Sequence, residues 1–291
     1  MKRRWRWVLG LLAVTAGLHY AIHFPWLDTW STLVAADWGV LTAAAAVNLL
    51  SLVCKACGWH LLLRPLVPVR CRTTQAATLV GAAVGSIGIA MSGEASRLHL
   101  LGLWDGVPAG TAARTIVASR LVEAAGLGVF LIVVLIALAT GGGGKFEWQL
   151  VACAAALAVG ALVLSRQLGW LRVSHLLGPL AFGTAAWGLQ WATYYWSIAA
   201  TYAAVTPWSS LLALLLSNFG GLFRLTPGNV GIIQGAVVLG LSPAGVPAAQ
   251  AVAAGLVLQA VQVLPVLAIG AVIVGRYGLR EALLRRSAKL A

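Results

Sequence analysis

Uninterrupted apolar stretches recur along the chain at about residues 7–24, 38–63, 114–139, 148–165, 177–205 and 248–275. Each has roughly the 20 residues a helix needs to cross the hydrocarbon core of a bilayer, so the pattern predicts six full spans. Two further stretches, about 74–105 and 209–243, are also apolar. They are interrupted by Gly, Pro, Ser and charge, in SIGIAMSGEASR at 86–97 and FRLTPGNVGIIQG at 223–235. Irregular backbone at membrane depth is tolerated only where protein or a water-filled cavity satisfies its polar groups. The two stretches therefore read as broken or re-entrant helices, which raises the count to eight if both cross. The expected fold is an all-α integral membrane protein, one polytopic domain over residues 1–291.

Composition supports this assignment: 60% of the residues are hydrophobic and 9% charged, against roughly 25% charged in a soluble domain. A water-soluble fold is excluded, and no sizeable soluble catalytic domain fits beside the spans. The first apolar run follows a basic, aromatic segment, Met1 to Trp7, as a secretory leader would. It lacks a small-residue cleavage site and is followed by Phe24, Pro25 and Trp26, so it reads as a span.

A net charge of +13 raises the possibility of nucleic acid, but the distribution of the charge argues against such a partner. Fourteen of the 20 Lys and Arg residues fall in the N-terminus, the loop at Arg64, Arg70 and Arg72, the loop at Arg166 and Arg172, and the tail from Arg276. The opposite loops hold Lys145 beside Asp28, Asp37 and Glu147. By the positive-inside rule this predicts a cell-membrane protein with both termini cytoplasmic. It requires that each broken stretch leave the membrane on the side it entered, or that both cross.

The chain also resembles itself. Gly106-Val107-Pro108 opens a run reaching Arg120 and Glu123, and Gly245-Val246-Pro247 opens one reaching Gln259 and Gln262, displaced by 139 positions throughout. Upstream, with one residue of slippage, Ser86 to Glu94 falls against Thr226 to Gln234. The repeat units are about 74–139 and 209–275. Because the predicted spans of Arg120 and Gln259 run in opposite directions, the repeat is expected to be inverted, as in many alternating-access carriers.

Charged groups at membrane depth cost about 2.5–3.5 kcal/mol each on insertion scales and point to function by default. Glu94, Arg97, Arg120, Glu123 and Arg224 are such groups, with Lys55 and Arg114 as further candidates, and Glu94/Arg97 and Arg120/Glu123 are i, i+3 neighbours able to meet on one helical face. Two readings stand. The pairs either only fix helix packing, or they line a midplane chamber with Arg224, Gln234, Gln259 and Gln262. Three arginines against two glutamates would suit a phosphate, through bidentate guanidinium hydrogen bonds. The break at Pro227, Gly228, Asn229 and Gly231 offers backbone N–H groups that could face the same anion.

Other features read as structural. Lys55, about two turns before the end of its span, is expected to snorkel. Cys54 and Cys57 form a CxxC inside an apolar helix with no second ligand pair, and with Cys71 and Cys153 they read as small core residues. No histidine motif suggests a metal, and no cofactor is expected. Trp26, Trp30, Trp38, Trp148 and Trp208 read as an outer aromatic belt. The tail from Tyr277 to Leu290 reads as an amphipathic helix on the inner leaflet.

Ser92-Gly93-Glu94-Ala95-Ser96-Arg97, Ser119-Arg120-Leu121-Val122-Glu123 and Thr226-Pro227-Gly228-Asn229-Val230-Gly231-Ile232-Ile233-Gln234 occur in this order. They resemble the G-E-x-x-R, E-R-x-x-D and P-G-G-x-G-x-x-E blocks of the lysylphosphatidylglycerol synthase transmembrane, or flippase-like, family. Ser119, Asn229 and Gln234 replace the family's usual Glu, Gly and Glu, and Gln259 stands where Arg is common, so the second-half site is less charged. In the family's aminoacyl-lipid synthases a soluble domain makes the lipid and the membrane domain moves it. The resemblance implies that this chain moves or binds a lipid without synthesising it.

The expected function is a flippase or transporter for an anionic, phosphate-bearing lipid, such as an aminoacyl-phospholipid or a polyprenyl phosphate. The headgroup would be held at the polar residues named above, none of them catalytic. Two alternatives are a membrane-embedded transferase on a lipid-linked substrate, which lacks an obvious acidic pair, and a non-catalytic subunit presenting lipid to a partner lipid-modifying enzyme or glycosyltransferase.

Overall fold

The computed structural model describes residues 24–88, 91–140, 159, 175–202, 204–221, 226 and 229–288. Among these residues the regular structure is helical. The elements are α1 (Trp26–Val34), α2 (Trp38–Leu63), α3 (Cys71–Ile87), α4 (Ser92–Asp105), α5 (Ala109–Thr140), α6 (Leu177–Ala199), α7 (Pro207–Gly221), α8 (Ile232–Leu241) and α9 (Ala248–Ala288). A 3₁₀ turn at Ser242–Ala244 joins the last two.

Among the described residues three helices are long and apolar enough to cross a bilayer: Trp38–Leu63, Ala109–Val134 and Ala248–Tyr277. They correspond to the stretches at 38–63, 114–139 and 248–275. The stretches at 7–24 and 148–165 lie outside the described residues, Val159 apart. The stretch at 177–205 forms α6, 23 residues long, which is not among the strongly apolar helices. The reason is its composition, since it carries Trp187, Gln190, Trp191, Thr193, Tyr194, Tyr195 and Trp196. The tail is not a separate surface helix. It continues α9 to Ala288, giving 41 residues, or roughly 60 Å of rod.

Both interrupted stretches fold as helical hairpins. In the first, Arg70 just before α3 binds Asp105 at the end of α4: the backbone N–H donates to Oδ2 at 3.0 Å and Nε to Oδ1 at 2.8 Å. Partial burial opposes ionisation of Asp105, but these bonds and the Thr73 hydroxyl outweigh it and hold the carboxyl below the usual carboxylate range. The two helices touch through glycine: a Cβ on Gly93 would lie 2.5 Å from the Gly81 carbonyl oxygen and 3.3 Å from the Gly85 Cα. This is the small-xxx-small contact that lets apolar helices approach closely. In the second hairpin a Cβ on Gly240 of α8 would lie 2.6 Å from the backbone nitrogen of Ala213 in α7.

Helix ends sort into two groups. The Asp37 N–H donates to the Ala200 carbonyl (3.1 Å) and the Thr29 hydroxyl to the Ala249 carbonyl (3.3 Å). These bonds set the start of α2 beside the end of α6, and α1 beside the start of α9, with the start of α7 seven residues on from Ala200. At the other end, Gly178 meets Leu61, Arg70 meets Asp105, and Trp104 stacks on Tyr277 with ring centroids 4.1 Å apart. Between the two ends lies a core of large apolar side chains from α5 to α9, including Tyr194, Ile198, Leu214, Val237, Leu241 and Leu258. The outer faces are apolar too, with Leu27, Val133, Leu239, Leu264 and Val272 exposed, as a bilayer-facing surface requires. The half-buried Cys54 and Cys57 and the exposed Cys71 are free thiols, so they are less enclosed than the sequence suggested. Cys153 lies outside the described residues.

Gly93→Val should lower the thermal unfolding midpoint in detergent, with a cost on the order of 1–3 kcal/mol for overpacking. Gly110→Ala, where an added Cβ meets nothing within 4 Å, should stay within about 1 kcal/mol of the parent. Equal midpoints for the two variants would show that the hairpin contact is not tight.

Candidate functional site

The tips of both hairpins end at one cavity of about 450 Å³, bounded also by α2, α5, α6 and α9. The first hairpin contributes Glu94 and Arg97, one turn apart at the start of α4, and the second contributes Asn218, Thr226 and Asn229. Arg120 enters from α5.

Arg120 is a bridging cation. Its Nη1 donates to Glu123 Oε2 at 2.9 Å on its own helix, and its Nη2 to Glu94 Oε1 on α4. The two carboxylates are 12% and 15% exposed and the arginine side chain 43%, so the acids are enclosed while the guanidinium keeps a face on the cavity. The sequence suggested two i, i+3 pairs; the contact from Arg120 to Glu94 adds a link between two helices.

The second half repeats this contact with amides. Gln234 Nε2 donates to Gln259 Oε1 at 2.6 Å, joining α8 to α9 as Glu94 and Arg120 join α4 to α5. Both residues stand at the positions the sequence repeat assigned. The turns match as well. Gly106 (φ 66°) and Gly245 (φ 71°) are both left-handed, a conformation glycine adopts without steric cost. Val107 and Val246 are buried, and the N–H groups of Ala112 and Ala251 each donate to the preceding proline's carbonyl at 3.0 Å.

Lys55 departs from its expected role. Rather than reaching for an interface, its Nζ donates to Gln190 Oε1 at 3.1 Å and sits 5.3 Å from the Trp187 ring centroid, within the cavity wall. The Trp187 indole N–H in turn donates to the Glu123 carbonyl at 2.8 Å. Arg97 is buried with its guanidinium carbon 5.7 Å from the Trp59 ring centroid, and the Trp59 N–H donates to the Thr115 hydroxyl at 3.2 Å. Two cations thus lie over indole faces that are themselves fixed by hydrogen bonds, an arrangement that compensates desolvation.

Of the predicted site residues, Glu94, Arg97, Arg120, Asn229 and Gln262 line the cavity. Glu123 lies in a small adjoining pocket with Lys55, and Gln234 is buried behind the wall on Gln259. Arg224, Pro227 and Gly228 lie outside the described residues. The expectation that the break frees N–H groups for an anion fails at two positions. The Gly231 N–H donates to Gln234 Oε1 at 2.7 Å and the Asn229 N–H to the Thr226 carbonyl at 3.1 Å. Asn229 has φ 56°, a region that asparagine tolerates better than most residues, so the turn forms without a glycine there.

Sequence reasoning favoured an interfacial role for Lys55 and missed Gln190, Tyr194 and Asn218 as cavity residues. The amides at 190 and 218, isolated in apolar stretches, were the available signal. Among the described residues no three His, Cys, Asp or Glu side chains converge so as to hold a metal ion.

The paired charges generate a stability prediction. Arg120→Gln leaves Glu94 and Glu123 without their shared donor and should cost about 1–3 kcal/mol. Changing Glu94, Arg120 and Glu123 together to Gln copies the second half and should recover most of that loss in thermal unfolding. A triple variant no more stable than Arg120→Gln would mean that the charges are not balanced against each other.

No curated protein matches the chain. The family described as lysylphosphatidylglycerol synthase TM region matches residues 7–270, a range holding both hairpins, the bridging arginine and the amide contact that repeats it. With three long apolar helices and no strand among the described residues, this multi-pass membrane protein belongs to the lysylphosphatidylglycerol synthase TM-region family.

Proposed function

We propose that the protein is a lipid flippase or transporter that carries an anionic, phosphate-bearing lipid between leaflets, its headgroup in the central cavity and its tails in the bilayer. The observation that carries this reading is the convergence of Lys55, Arg97 and Arg120 on one polar cavity at the hairpin tips. Guanidinium groups bind phosphate oxygens in paired, charge-assisted hydrogen bonds. Family membership supports a role in membrane lipid chemistry.

The inverted repeat belongs to this proposal. The first hairpin opens at the end that holds Arg70, Asp105 and Tyr277, and the second at the end that holds Asp37 and Ala200. α5 and α9 then leave their matching Gly-Val-Pro turns in opposite directions. Two re-entrant hairpins whose tips meet at a common site would let access alternate about that site, the usual logic of inverted-repeat carriers. The preferred orientation has both termini cytoplasmic. A transferase reading receives less support: Asp37, one of the acids in the loops opposite the basic ones, caps α2 by accepting from the N–H groups of Gly39 and Val40 at 2.9 and 3.1 Å.

In liposomes, Arg97→Gln should slow leaflet exchange of a polyprenyl-phosphate or aminoacyl-phospholipid probe tenfold to a hundredfold, the loss of one charge-assisted hydrogen bond worth about 1.5–3 kcal/mol. Wild-type rates in both Arg97→Gln and the triple Gln variant would sink the headgroup assignment. For orientation, a cysteine placed at Gly143 should react with an impermeant maleimide added outside intact cells, and labelling from the cytoplasmic side alone would reverse it.

A further inference from the structure

The cavity has two chemically different walls. On the first-half side stand Lys55, Arg97 and Arg120, with Glu94, which Arg120 engages. Facing them are Asn218, Asn229 and Gln262 from the second half, with Gln190 and Tyr194 of α6 between the two walls. Among the described lining residues the second wall has amides and no carboxylate. The repeat places Gln234 opposite Glu94, Gln259 opposite Arg120 and Gln262 opposite Glu123, so three charged positions of one half are neutral amides in the other.

This asymmetry bears on what a headgroup carries besides phosphate. A cationic, aminoacylated headgroup needs a carboxylate, and the two near the cavity, Glu94 and Glu123, are both engaged by Arg120. A hydroxyl is both donor and acceptor, and so is a primary amide, so a wall of amides suits a group with several hydroxyls. The volume of about 450 Å³ falls in the range of small-molecule sites and exceeds what a phosphate fills.

We infer that the headgroup is a phosphate esterified to a neutral polyol, a sugar or cyclitol, with the phosphate at Arg97 and Arg120 and the hydroxyls at Asn218, Asn229 and Gln262. The inference rests on the anionic-lipid reading above and narrows it. Two lipid classes present this chemistry: a glycosyl-phosphate polyprenol and an inositol-type glycerophospholipid.

The test is competitive binding to the full chain in nanodiscs, read by native mass spectrometry. The lipids are a hexosyl-phosphate polyprenol, phosphatidylinositol, the bare polyprenyl phosphate, a lysyl-phospholipid and phosphatidylcholine as the neutral-charge control. At least one polyol-phosphate lipid should bind tenfold or more above the bare phosphate and the lysyl lipid, and the tighter of the two identifies the tail. Asn218→Ala with Gln262→Ala should bring that lipid down to the level of the bare phosphate and leave the bare phosphate unchanged. The wild-type comparison decides by itself if the double variant does not fold. Equal binding of the bare phosphate and both polyol lipids, or tightest binding of the lysyl lipid, overturns the inference and leaves the anionic-lipid reading standing. No preference for any of the anionic phosphate lipids over phosphatidylcholine overturns both.

Discussion

A guanidinium shared by two enclosed carboxylates, inside a body of apolar helices, is the interaction on which the rest of the structure depends. Glu94, Arg120 and Glu123 would each be costly at membrane depth. They are tolerable because they meet, and because they meet across α4 and α5 they also fix where the first hairpin stands against the span that follows it. Arg120 serves both neighbours and still keeps a face on the cavity. One residue therefore satisfies the fold and remains available to an anion. Buried ion pairs are weak evidence for stability in themselves; their value here is in position.

That position would be useless without close backbone contact. In lipid, helices gain little from hiding apolar surface from one another, so packing depends on small residues that allow backbones to approach. Gly81, Gly85 and Gly93 supply this in the first hairpin, and Gly240 against Ala213 supplies it in the second. The hairpins hold together by contact along their length, which leaves their irregular tips to form the cavity wall. There the polar groups that a broken helix exposes find partners, as Gly231 finds Gln234.

The halves share a construction and differ in charge. Left-handed glycine, buried valine, proline carbonyl and a cross-helix polar contact occur at matching positions in each. An ionic contact in one half is an amide contact in the other. Replacing Glu and Arg with Gln keeps a hydrogen bond while removing the desolvation cost of charge, so a substitution of this kind can change what the cavity binds without disturbing the hairpin that bears it.

The sequence by itself determined the class of the molecule, the approximate positions of the apolar helices at 38–63, 114–139 and 248–275, and the two interruptions. All of these are written in local hydropathy and in the identities of single residues. It also singled out Glu94, Arg97, Arg120 and Gln262, because polar groups in apolar stretches are conspicuous wherever they point. It placed Lys55 at an interface and read α6 as one more apolar run, and it missed the polar contacts between them for one reason. Spacing along a chain does not tell which face of a helix turns inward, and only the packing of α6 against α2 set Gln190 and Trp187 beside the lysine. In the same way, i, i+3 spacing suggested a partner for each charge on its own helix. The arrangement of the first hairpin against α5 decided that Arg120 reaches Glu94 as well, since a contact between residues 26 positions apart exists only once the helices are assembled.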